Sequence, residues 1–118
     1  PDLARRAFAW IHLGANIGAA GAQLMIRASD QALLTVAREL APTFGAISPS
    51  PLFATTDRPV GEAGEVLVRG GRFLSLVGAN APRFHSTLDR WPDAVDFGVV
   101  ATAADGVLET IRALDRQV

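Results

Sequence analysis

Few side chains in this sequence can do chemistry, and their scarcity narrows what that chemistry is. There is no cysteine, so thiolate nucleophiles, disulfides and sulfur-bound metals are excluded. Any metal would have to be held by His, Asp, Glu or Asn. Only two histidines occur, His12 and His85. His12 falls inside an uncharged apolar run, where a core histidine bonded to backbone is the expected reading. His85 lies in the polar stretch Phe84-His85-Ser86-Thr87-Leu88-Asp89-Arg90-Trp91-Pro92-Asp93, after an apolar segment. In open α/β sheets ligands bind beyond the carboxyl ends of the strands. A histidine placed there can coordinate a metal through one ring nitrogen while a carboxylate such as Asp89 orients the other. By spacing alone, a solvated surface histidine fits the same pattern.

The remaining constellations are thinner. Glu62 and Glu65 fall on one face of a short helix, a spacing that suits acid–base work and equally suits two solvated carboxylates. Gly14, Gly18 and Gly21 follow a strand, but G-x-G-x-x-G and an acidic ribose ligand are both missing. No G-x-S-x-G nucleophile motif occurs. All 11 basic residues are Arg, scattered along the chain, against 12 acidic ones, for a net charge of −1. That distribution offers no basic stripe for nucleic acid and no acidic tract, so no nucleic-acid partner is expected.

Around these residues the sequence predicts alternating strands and helices. Residues 7–26 carry no charge between Arg6 and Arg27, the length of a membrane span. His12, Asn16 and Gln23 interrupt the run, so two buried strands, Phe8 to Leu13 and Gln23 to Arg27, joined by a Gly/Ala loop, are expected instead of a span. Ser29 is the expected cap of a helix with Leu33, Val36, Ala37 and Leu40 on one face, ended by Pro42. Residues 43–61 read as a loop, 62–69 as a short helix, and Phe73 to Val77 as a third buried strand. Asp96 caps a final helix, with Phe97, Val100, Ala104, Val107, Ile111 and Leu114 on one apolar face. This alternation is an α/β layer architecture with a mostly buried mixed sheet. The start at Pro1 suggests a single partial domain over residues 1–118, with its N-terminal half, or a second protomer, as partner.

The segment Arg83-Phe84-His85-Ser86-Thr87-Leu88-Asp89-Arg90-Trp91-Pro92-Asp93-Ala94-Val95-Asp96 resembles the closing motif of the co-catalytic zinc aminopeptidases. That motif has an aromatic residue, a zinc-binding His, a Ser or Thr, an Asp soon after, and a further Asp before the last helix. Thr56-Asp57 and the strand Phe73 to Val77 resemble upstream parts of the family in the same order, and Gly14-Ala15-Asn16-Ile17-Gly18 sits where the family has an Asp-bearing strand. The resemblance implies the C-terminal portion of a three-layer α/β/α zinc-exopeptidase-like domain that releases N-terminal residues from peptides. It implies His85 as a zinc ligand, with Asn16 and Asp89 as possible ligands or orienting groups. The loop from Ser48 to Glu62, with Asp57 and Glu62, would lie near a peptide substrate. Two departures stand out: no Asp occupies positions 14–17, and Arg58 stands where the family has His. The zinc is therefore conditional on ligands from outside the chain, since a catalytic zinc takes three protein ligands and an open position. The alternative is a non-catalytic, peptidase-like binding or assembly module.

Overall fold

A computed structural model describes residues 3–45, 47–48, 51–56 and 61–118. Over these residues the chain is an α/β domain built on a mixed four-stranded sheet with four helices. In chain order the elements are α1 (Leu3–Arg6), β1 (Trp10–Leu13), β2 (Gln23–Ala28), α2 (Gln31–Glu39), a 3-10 turn (Ala41–Phe44), β3 (Leu52–Thr55), α3 (Glu62–Val68), β4 (Phe73–Ala79) and α4 (Phe97–Asp115). The sheet order is β1-β4-β2-β3. β1 runs parallel to β4, β4 antiparallel to β2, and β2 parallel to β3.

One face of this sheet carries the core. Alternation along β2 buries Leu24, Ile26 and Ala28, and β4 adds Leu74 and Leu76 to the same face. Against them pack Leu33, Leu34, Val36 and Ala37 of α2, Phe44 of the 3-10 turn, and Ala103 and Leu114 of α4. The other face bears Trp10 and His12 of β1, Ser75 of β4 and Arg27 of β2; α3 packs there against β1 and β4. The Trp10 indole donates to Ala4 O at 3.2 Å and ties α1 to this side. Only β4 is buried along most of its length; the edge strands β1 and β3 are largely half-buried or exposed.

Three local expectations are corrected. The cap of α2 is Asp30, whose carboxylate accepts from Leu33 N at 3.1 Å. Ser29 instead links the sheet to the cap: its hydroxyl accepts from Phe73 N and donates to Asp30, both at 3.0 Å. Arg72 then grips Asp30 through two bonds of 2.9 and 3.0 Å. Within the expected loop 43–61 lies β3, a four-residue strand with no alternation to announce it, held by parallel pairing with Met25 to Ala28.

The third correction concerns α4, whose cap, Asp96, is as expected, accepting from Val99 N at 3.1 Å. The face it buries is rotated from the one its large residues mark. Ala103, Gly106, Thr110 and Leu114 are buried, while Phe97, Val100 and Ile111 are 61, 43 and 49 % exposed. Small residues allow this close seat: a Cβ on Gly106 would lie 2.3 Å from a Phe44 ring carbon.

Candidate functional site

Because β1 and β4 are parallel, their carboxyl ends emerge together, and the loops that follow them are joined. Gly14 N donates to Leu76 O at 2.8 Å and Gly78 N to Ala15 O at 2.9 Å, locking the first turn of one loop to the end of β4. Asn16 turns the chain with φ of 66°, and its carbonyl crosses so close to Gly78 that a Cβ there would sit 2.0 Å away. The loop then meets the segment before α4, through Ala20 N to Ala94 O and Asp96 N to Gly18 O, each 3.0 Å. An isolated bridge pairs Ala19 with Val95. The loops bearing Asn16 and His85 thus share one end of the sheet.

His85 itself is exposed, in a left-handed conformation with φ of 60°, its ring stacked on Phe84 with centroids 3.9 Å apart. Ser86 braces its turn, donating to Arg83 O at 2.8 Å and accepting from Leu88 N at 3.2 Å. The expected orienting partner does not meet it: no hydrogen bond joins Asp89 to His85 among the described residues. Asp57 lies outside the described residues. Among the described residues no group of three or more His, Asp or Glu side chains is placed to hold a metal ion. Within the described residues His85 thus supplies at most one of the three protein ligands that a catalytic zinc takes, and no catalytic step is assigned to it.

The second histidine is better connected than its apolar setting foretold. His12 bonds side chains, not backbone: Nδ1 lies 2.7 Å from Ser75 Oγ and Nε2 3.1 Å from Glu62 Oε2. Direct register between β1 and β4 places His12 opposite Ser75, and the start of α3 brings Glu62 over them. Glu62 titrates below the usual carboxylate range, first because its own backbone amide bonds it and then because His12 does. An ionised carboxylate only accepts, so Nε2 is the donor toward Glu62, while Nδ1 and the Ser75 hydroxyl share one hydrogen bond whose direction follows the ring's protonation. The chain Ser75–His12–Glu62 runs in the order of a hydrolase triad with the ring nitrogens interchanged. Ser75, however, is 4 % exposed in the middle of β4, where no substrate carbonyl can reach its oxygen. The arrangement is a tie between sheet and helix. A Ser at the centre of the apolar run Phe73-Leu74-Ser75-Leu76-Val77 was the available signal, because a buried hydroxyl requires a partner.

An apolar groove of about 490 Å³ lies beside β1, lined by Leu13 and Ile17 on one side and Val100, Ala104, Leu108 and Ile111 of α4 on the other. Among the described residues β1 is an edge strand. Its Trp10 and Gly14 amides donate to β4, so in a parallel ladder the Ile11 and Leu13 peptide groups face away from it. Among the described residues no helix is long and apolar enough to cross a membrane. Compared with known protein families, with curated proteins and with solved structures, the chain gives no match.

Proposed function

We propose that this chain is an assembly module: the carboxyl half of a three-layer, peptidase-like α/β/α domain, completed along β1 by its N-terminal half or by a second protomer. The observation that carries the reading is the open edge of β1 lying directly beside the apolar groove of α4. Unpaired strand edges recruit further strands, and an apolar patch next to one calls for a covering element. Leu13 and Leu108, 55 and 45 % exposed, are then interface residues rather than surface ones. The test is sedimentation of the longest gene product that contains this chain, as wild type and as Leu108→Glu. The assembly reading expects a closed species in the wild type, loosened or dissociated by the charge. Identical sedimentation and stability in both would sink it.

A second reading keeps the peptidase kinship catalytic, and the joining of the Asn16 and His85 loops at one sheet end favours it. The completed domain would then be an aminopeptidase-like metallohydrolase acting on the N-terminal bond of peptides. Its zinc would be ligated mainly from outside this chain, with His85 contributing one nitrogen. Elemental analysis of the same gene product tests this: zinc retained in full by His85→Ala, or absent from the wild type, would refute it.

A further inference from the structure

Of the arginines with a described partner, Arg69, Arg72 and Arg112 each meet a carboxylate, and Arg38 lies over the Phe53 ring at 5.8 Å. Arg83 and Arg90 are different. Neither makes an ion pair among the described residues, yet both line one pocket of about 250 Å³ with Thr87, Leu88 and Asp93. The backbone brings them together. Ser86 N and Ser86 Oγ both donate to Arg83 O, Arg90 N donates to Leu88 O at 2.9 Å, and Ala94 N closes on Arg90 O at 2.9 Å. The loop is thereby folded so that residues on either side of Thr87 face a common space.

We propose that this pocket binds the α-carboxylate of a small amino acid or of a peptide's carboxyl terminus through Arg83 and Arg90. Guanidinium groups present planar, forked donors that match a carboxylate, and a pair of them that no described carboxylate engages is available for one. Asp93 selects against more highly charged anions: the two arginines and one aspartate among the described lining residues carry a net charge of about +1, which suits a monoanion. A phosphate dianion would meet the Asp93 carboxylate. The Thr87 hydroxyl adds a neutral donor, and Leu88, 68 % exposed, offers an apolar surface to the ligand's side chain. The proposal uses neither the zinc nor the assembly reading, and it stands if both fail.

Trp91, adjacent to Arg90 and 70 % exposed, reports occupancy through its fluorescence. The full chain is titrated with leucine, N-acetylleucine, leucinamide and inorganic phosphate. Leucine and N-acetylleucine should saturate the signal, and leucinamide should bind at least about tenfold more weakly, the loss expected for a charge-assisted pair. Arg83→Gln and Arg90→Gln should each weaken leucine binding about tenfold, whereas Arg116→Gln at the end of α4 leaves it unchanged. N-acetylation separates the two sources: a large loss points to a free amino acid with its ammonium on Asp93, and none to a peptide carboxyl terminus. Equal responses to leucine and leucinamide, phosphate binding more tightly than leucine, or full affinity in the double variant Arg83→Gln/Arg90→Gln would each overturn the proposal.

Discussion

His12 and His85 are the same side chain under opposite constraints, and the contrast decides which of them the fold depends on. His12 satisfies a hydroxyl that the sheet buries and holds the exposed Glu62 above it. Removing the ring leaves Ser75 Oγ without its partner, at a cost on the order of 1–3 kcal/mol. Removing both groups costs less than the sum. We therefore expect His12→Leu to destabilise the wild type more than it destabilises a Ser75→Ala background, in a urea-unfolding cycle. Equal costs in both backgrounds would show the bond to be idle. Asp30 supplies a second residue-scale prediction. Its carboxyl is lowered from 3.8 to about 2, chiefly by the Arg72 hydrogen bond, with the Leu33 amide and Ser29 helping against desolvation. A carboxyl depressed in the folded state stabilises above its unfolded pKa and loses that contribution as pH falls through the folded one. The loss thus falls between about pH 4 and 2. With both partners more than a third exposed, screening reduces the value to about 1 kcal/mol. Asp30→Asn should be less stable than the wild type at pH 7 by about that amount. The gap should close near pH 2; a gap constant down to that pH would contradict the assignment.

At the scale of elements, α4 shows how packing overrides pattern. The large apolar residues at spacings of three and four mark one stripe, yet the helix seats on Ala103, Gly106 and Thr110. Gly106 weakens a helix by ~1 kcal/mol relative to Ala, so on propensity alone Gly106→Ala should stabilise. The Phe44 ring at 2.3 Å from the new methyl reverses the sign, because overpacking a rigid core costs ~1–3 kcal/mol. A lower melting temperature for Gly106→Ala is expected; a higher one would mean that α4 stands off the sheet. Strands β1, β2 and β4, helices α2 to α4 and the Asp96 cap were legible because each combines an apolar run or period with a local stop or cap. β3 was not, since its four residues lie among prolines and only pairing with β2 makes them a strand. The Arg72–Asp30 grip and the His12–Ser75 pair were hidden for a related reason: they join residues 42 and 63 positions apart, and register is a property of the sheet. His85 was placed in its post-strand loop by sequence, but whether Asp89 meets it depends on a turn geometry that composition does not encode.

For the whole molecule, the question is whether the sheet ends at β1. A strand edge of four residues with a half-exposed leucine and a neighbouring groove is a poor boundary for a free-standing domain. Helix α4 repeats the message, leaving Val100, Leu108 and Ile111 on the groove side. Amide hydrogen exchange distinguishes a boundary from a seam, because the ladder divides the β1 amides into two sets. Trp10 and Gly14 donate to Arg72 O and Leu76 O and should exchange slowly in any state of the protein. Ile11 and Leu13 face the open side and should exchange quickly in this chain by itself, since exposed edge amides open without unfolding. In a larger gene product or a dimer that continues the sheet, these same two amides should be protected by at least about a hundredfold, the factor that a few kcal/mol of local stability imposes. Protection at Ile11 and Leu13 together with slowed exchange across Val100 to Ile111 would place strand and helix of the partner on this face. Fast exchange at both residues in every assembly state would fix β1 as the true edge and remove the main support for the assembly reading.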